Sequence, residues 1–413
     1  MSGSSSSTAR PTRRTRVVCI SDTHNSIVKL PKGDVLIHAG DLTNQGSYSE
    51  LSKAVQWLEK ADFEAKIVIA GNHDITLDHD FYSKHGSSFH NQNPQDPAKC
   101  QSLFTSSRTI TYLQNNSATV RLARPDGPGT EFTVFGSPYS PQHGTWAFMY
   151  PRPGQEGGGG GEGGGGGAET PGPGDVTTAA AAAAVTTPPS AADLWAAIPP
   201  NTDIVVTHTP PYAHCDDSCG CEELRKALTR VRPRLHVCGH VHQGRGAERV
   251  RWHTDRLGAE AAAEAAAVEA WADPHPDPGS AKISLVDLTA RGGKRPLDFD
   301  DDGSALLPLG GRGDGAGGAS DPPDPAQRVP HGPSPPPGPE SQDTVGPGGD
   351  PDSSTEPGVR STSPGNPDAV QDRTGRRETC VVNCAIVATG WPHTGGKRFN
   401  KPIVVDIDLP VWR

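Results

Sequence analysis

The sequence predicts an α/β layer fold on three observations. Apolar strand-like runs recur along the chain, an amphipathic helical segment lies between two of them, and most of the runs are rich in Val and Ile on both faces. Runs without polar alternation belong in buried sheets. Strand, loop, helix, strand is the rhythm of layered α/β proteins.

The elements follow in order. RVVCISD (16–22) and DVLIHAGD (34–41) are the first two strands. SYSELSKAVQWLEKA (47–61) is a helix, because Leu51, Ala54, Val55 and Leu58 share a face and Ser47 with Glu50 has the spacing of a capping box. KIVIAGNHD (66–74), FTVFGSP (132–138), DIVVTHTPP (203–211), RLHVCGH (234–240), TCVVNCAIV (379–387) and PIVVDIDL (402–409) complete the strands, bounded by Gly, Asp, Pro and Asn. The stretch GAEAAAEAAAVEAWA (258–272) has strong helix propensity but only Val268 and Trp271 as apolar anchors, which predicts a lone exposed helix.

Composition bounds how much of this folds. With 33% hydrophobic residues, 49 glycines and 41 prolines in 413 residues, a good part of the chain lacks the material for a core. Two segments account for this, at about 152–192 and 256–378, and read as long disordered inserts. Residues 1–15 read as a disordered tail, and 16–410 as one domain interrupted twice. Long surface insertions add loop-closure cost only slowly.

A net charge of −10 disfavours a surface built to coat nucleic acid. No run approaches the ~18 apolar residues of a membrane span, and MSGSSSSTARPTRRTR lacks the apolar core of a secretory signal, so an intracellular, cytoplasmic setting is expected. The eight cysteines are read as reduced. Cys215, Cys219 and Cys221 have no second paired cluster at finger-like spacing, so structural zinc is not expected there.

The strand exits carry the chemistry. They present Asp22 and His24 (SDTHN), Asp41 (AGD), Asn72, His73 and Asp74 (GNHD), His208 (THTPP), and His240 with His242 (GHVH). In open α/β sheets such positions converge outside the carboxyl ends of the strands. Carboxylate, imidazole and amide oxygen together suit Mn, Fe or Zn, and these side chains are too many for one ion. Two divalent metal ions are implied, with Asp41 as the candidate bridge.

The order DxH, GD, GNHD, H, GHxH resembles the calcineurin-like metallophosphoesterase superfamily. GSPYSP with WAFMY, HTPPYAHCD with GCEEL, and NKPIVVDIDL look like the branch of metallophosphoesterase-domain-containing proteins of animals and their fungal relatives. That resemblance implies a four-layer α/β/β/α sandwich. It also implies that Asp22, His24 and His242 hold one metal, Asn72, His208 and His240 the other, and Asp41 both. His73 would face the phosphoryl group and Asp74 would orient it, while a metal-bridging hydroxide attacks a phosphodiester or phosphomonoester.

Departures narrow the reading. Protein Ser/Thr phosphatases of the superfamily carry an arginine shortly after the GD aspartate and a Glu after the GNH histidine; here the texts are GDLTNQG and GNHD. A small or nucleotide-like phosphoester substrate is therefore expected. The alternatives are a nuclease of the same superfamily or a non-catalytic scaffold. Some animal relatives replace the first histidine of GHxH by glycine, whereas His240 is retained here, which favours an enzyme. Asn25 and His214 are further candidates to line the pocket. His38 is expected in the core or behind the site, and His79, His85 and His90 in loops.

Overall fold

The computed structural model describes residues 11–152, 189–252, 265–291, 297, 376–389 and 396–412, and the backbone of 359–360. The low-complexity parts of both expected inserts otherwise lie outside these residues.

Among the described residues, one sheet contains β1 (Thr12–Ile20), β2 (Val35–Ala39), β3 (Ala65–Ile69), β4 (Ile110–Tyr112), β13 (Ser284–Asp287) and β16 (Ile403–Pro410). Its spatial order is β13-β16-β1-β2-β3-β4. The second contains β5 (Asn116–Arg121), β6 (Glu131–Ser137), β9 (Ile204–Thr207), β10 (Leu235–Cys238), β11 (Gly246–Trp252), β12 (Ala265–Ala270), β14 (Val359–Arg360) and β15 (Glu378–Asn383). Its order is β12-β11-β15-β10-β9-β6-β5-β14. A small ribbon pairs β7 (Ser140–Pro141) with β8 (Met149–Tyr150).

The layers follow from which face each side chain takes. Along β1, Val17 and Cys19 point into a core shared with Val134, Val206, Val237 and Val382 of the other sheet. Val18 and Ile20 point the opposite way, toward α1 (Tyr48–Lys60), α2 (His79–His90) and α3 (Pro97–Thr105). On the far side, Phe135, Val205 and Val381 meet α4 (Ala191–Ala196) and α5 (Glu222–Val231). The result is the four-layer α/β/β/α sandwich, with apolar burial on three internal planes.

All eight strand runs read from the sequence form strands, and α1 has the anticipated capping box: Ser47 Oγ accepts from Glu50 N, and Ser47 N donates to Glu50 Oε2 at 2.9 Å. Four expectations need correction. The tail ends earlier than residue 15, because Thr12–Thr15 pair with Ile407–Pro410 in β1 and β16. The Ala/Glu stretch is not a helix where described: Ala265–Ala270 is an edge strand with Val268 opposite Val250. Trp271 fixes it by packing on the inter-sheet core and donating to the Leu285 carbonyl at 3.2 Å. Residues 265–291 thus belong to the fold rather than to the second insert, and α4 begins within the end of the first. Finally, His79, His85 and His90 lie in α2, capped by Asp78, which accepts from Phe81 N at 3.0 Å.

Candidate metal centre

The exits of β1, β2, β3, β9 and β10 bring Asp22, Asp41, Asn72, His208 and His240 to one end of the two sheets. Getting there requires unusual backbone. Asp22, His24, Asp41 and His240 have φ of 52°, 43°, 54° and 64°, left-handed values that cost a non-glycine residue about 1–2 kcal/mol each. Hydrogen bonds between the exits hold them: Asp22 N donates to the Gly40 carbonyl at 2.9 Å, and His24 N to the Asp41 carbonyl at 3.1 Å. His240 N donates to both carboxylate oxygens of Asp22 at 3.1 Å. Two glycines permit the close approach. A Cβ on Gly71 would collide with Asp41, and one on Gly239 with Asp22 and Ser21.

The side chains then converge. Asp22, His24 and His242 each offer a donor atom within 4.8 Å of one another, as do Asp22, Asp41 and His208, and so do His24, Asp41 and His73. His208 Nε2 lies 3.4 Å from Asp41 Oδ2 and 3.0 Å from Asn72 Oδ1. His240 Nδ1 lies 2.9 Å from the same Asn72 oxygen. His242 Nε2 is 3.4 Å from Asp22 Oδ1, and His24 Nε2 is 3.7 Å from Asp41 Oδ2. All seven side chains predicted as ligands therefore sit in one cluster, with Asp41 between its halves.

The outer nitrogens decide what the inner ones carry. His208 Nδ1 faces the Ala39 carbonyl at 2.9 Å, and His24 Nδ1 faces the Thr43 carbonyl at 3.2 Å. A carbonyl only accepts, so both Nδ1 atoms hold hydrogen and both rings turn Nε2 toward Asp41: a lone pair on neutral His24, and on His208 an N–H that Asp41 holds in place until a cation displaces it. Once that proton leaves, lone pairs meet carboxylate and amide oxygens that are also electron-pair donors. A divalent cation satisfies such a set, and backbone carbonyls behind ligating imidazoles are its usual support.

The electrostatics report the same conflict. Burial opposes charge on Asp41, yet the imidazoles of His208, His73 and His24 hold its carboxyl well below the usual range. Burial likewise opposes a proton on His208, but Asp41 draws its pKa up to about 9. Burial lowers His24 to about 4 and His240 to about 3, leaving those rings neutral and able to ligate.

His73 is half-exposed at the rim, its Nδ1 2.9 Å from the Asn44 carbonyl. The expected role of Asp74 as its orienting partner is not what the structure shows. Asp74 is fully buried and accepts from Gly71 N at 2.9 Å, Leu42 N at 3.2 Å, Thr43 N at 3.0 Å and Thr43 Oγ1 at 2.7 Å. It ties the β2 and β3 exits together instead. With its charge disfavoured by burial and by Asp41, its pKa rises to about 6.

Sequence reasoning missed Trp146, whose ring centroid lies 4.0 Å from that of His73 at a tilt of 34°. The WAFMY text offered the residue but no reason to bring it here. Of the two pocket candidates, Asn25 is exposed and donates to Glu50 Oε1 at 2.6 Å. His214 is buried with Nδ1 on Glu248 Oε2 at 2.9 Å and is not part of the cluster groups. His38 is a core residue, with Nε2 3.0 Å from Thr23 Oγ1.

The model of the calcineurin-like phosphoesterase family matches residues 15–244, more than half of the chain, and the chain belongs to that family. "Probable rhamnogalacturonate lyase C" of Emericella nidulans is 40% identical over 240 residues, covering 57% of this chain and 18% of that protein. Metallophosphoesterase domain-containing protein 1 of Homo sapiens is 34% identical over 253 residues, covering 57% of this chain and 63% of that one. The chain thus spans less than two thirds of either relative. Among solved structures, a purple acid phosphatase from yellow lupin seeds aligns over 59% of this chain and 40% of its own, at 13% identity and a TM-score of 0.29. No helix among the described residues is long and apolar enough to cross a membrane.

Proposed function

We propose that this chain is a phosphoester hydrolase acting on a small or nucleotide-like substrate with two divalent cations. Asp22, His24 and His242 would hold the first, Asn72, His208 and His240 the second, and Asp41 both. The observation that carries the reading is the convergence itself: imidazole nitrogens, carboxylates and an amide oxygen meet around Asp41, a set of ligand types that fits divalent cations. When bound, such ions polarise phosphoryl oxygens and acidify water.

The chain's own residues do the rest. His73 donates Nδ1–H to the Asn44 carbonyl, which leaves Nε2 as the atom that carries a proton to the departing oxygen. Trp146 restricts the tilt of that ring. Asp74 keeps the Asp41 and His73 loops in register through its buried carboxyl. That every proposed ligand is retained supports catalysis over a scaffold role.

The test is metal analysis of the purified chain with hydrolysis of bis-p-nitrophenyl phosphate, p-nitrophenyl phosphate and 2′,3′- and 3′,5′-cyclic nucleotides. Asp41→Asn is expected to lose Mn²⁺ binding and turnover together. His73→Ala is expected to keep the metal and lose on the order of 100- to 10,000-fold in kcat. Wild-type protein that binds no Mn²⁺ and hydrolyses none of these esters would sink the proposal.

A further inference from the structure

His240 and His242 lie on the connection from β10 to β11, and that connection crosses the end of β15, the strand paired between them. The last residue of β15 is Asn383, fully buried and paired with Cys238 on one side and Gly246 on the other. Its amide nitrogen donates to the carbonyl of Val241 at 2.8 Å and to that of Cys215 at 2.9 Å. Its oxygen accepts from Ala385 N at 3.2 Å. Both hydrogens of the amide are thus spent on backbone carbonyls of two different loops.

Val241 is the residue between the two histidines. Its carbonyl also accepts from Gly244 N at 3.0 Å, so both of its lone pairs are engaged. The peptide needs holding, because His240 stands in the left-handed region at φ 64°. The second loop is the cysteine-rich text HCDDSCGC, which the site itself leaves unused. It packs directly on the histidine turn: a Cβ on Gly244 would collide with the Cys215 carbonyl. Glu248 anchors the same loop through His214 Nδ1 at 2.9 Å and Cys215 N at 3.4 Å.

We infer that Asn383 is a positioning residue that clamps the peptide between His240 and His242, sending one imidazole to each half of the Asp41 cluster and using the cysteine-rich loop as its backstop. The inference rests on the metal-centre reading for its consequence, while the clamp itself is a property of the chain. Asn383 touches no ligand side chain. It acts through the Val241 carbonyl, and the pair of imidazoles diverges because that carbonyl cannot rotate.

The test uses the full-length chain stripped of metal, in wild type, Asn383→Leu and the milder Asn383→Ser. Val120→Ala, buried in the inter-sheet core on β5, four strands away from β15 in the same sheet, serves as a control of general destabilisation. Co²⁺ affinity is measured by calorimetry, and the His240 and His242 ring signals by long-range ¹H–¹⁵N spectra of the metal-free protein. The Asn383 variants are expected to bind Co²⁺ about 10- to 100-fold more weakly and to shift or broaden both ring signals. The control is expected to lose thermal stability yet keep affinity within about twofold, as a substitution far from the ligands and their supports should. Asn383 variants with wild-type affinity and unchanged rings, or a control with the same losses, overturn the clamp. Wild-type protein that takes up no Co²⁺ defeats the metal-centre reading instead, and the ring spectra then decide the clamp alone.

Discussion

At the scale of single residues, the centre is organised by side chains with no room to move. Asp41 and Asp74 are both buried carboxylates at the ends of neighbouring strands, yet their surroundings pull them apart: imidazoles lower the first, and burial beside the first raises the second. Asp74 accepts four hydrogen bonds, three of them from backbone N–H groups. Asp74→Ala is therefore expected to cost about 3 kcal/mol or more by leaving buried donors unpaired, read as a lower urea midpoint. A midpoint shift below about 1 kcal/mol, the worth of one ordinary hydrogen bond, would show that the carboxylate does not join the two exits. The ligand types were legible because chemistry at a strand exit stands out against an apolar run. Trp146, Asn383 and the carbonyls of Ala39 and Thr43 were not, since their meaning depends on partners brought close only by folding.

At the scale of elements, what could be read was whatever carried its own signal. Val- and Ile-rich runs became strands, and α1 became a helix with its cap. Ser47→Ala is expected to cost about 1 kcal/mol, measured by urea unfolding, and a neutral result would mean that the cap adds nothing in this context. Two local signals were available but unused: Asp96 followed by Pro97 marks the start of α3, and Leu224, Ala227, Leu228 and Val231 form the buried stripe of α5. The Ala/Glu segment is a different case, because its intrinsic preference is overruled. Pairing with β11 and the packing of Trp271 outweigh helix propensity worth only tenths of a kcal/mol per residue. If so, Trp271→Ala should destabilise the whole protein by about 2 kcal/mol. A free surface helix would tolerate that change without cost.

At the scale of the molecule, buried histidines outside the cluster set the acid limit. His236 is fully buried against Thr207 Oγ1 at 2.8 Å, and burial lowers its pKa from 6.5 to about 3. A folded pKa below the unfolded one means that the unfolded chain takes up the proton first. Stability is then complete above about pH 6.5 and declines progressively as the pH falls toward 3. Thermal midpoints between pH 7.5 and 5 should fall less steeply in His236→Asn, which cannot be protonated; parallel profiles would refute the assignment. The four layers were implied by the family resemblance, while the layered α/β class follows from sequence pattern because most of the strand runs are apolar on both faces. The order of strands does not, since nothing local tells β16 to enter beside β1. That placement has a kinetic meaning. The first sheet has β1 near its middle, flanked by β2 and by a strand made of residues 403–410. A chain emerging from the ribosome can assemble β1 to β4 early, but their sheet keeps an open edge until the 298 residues from the end of β4 to Pro410 have been made. Until then the Thr12 to Cys19 backbone lacks the strand that pairs with it, and that open edge stays available to any other strand, so a chain cut before residue 403 is expected to aggregate.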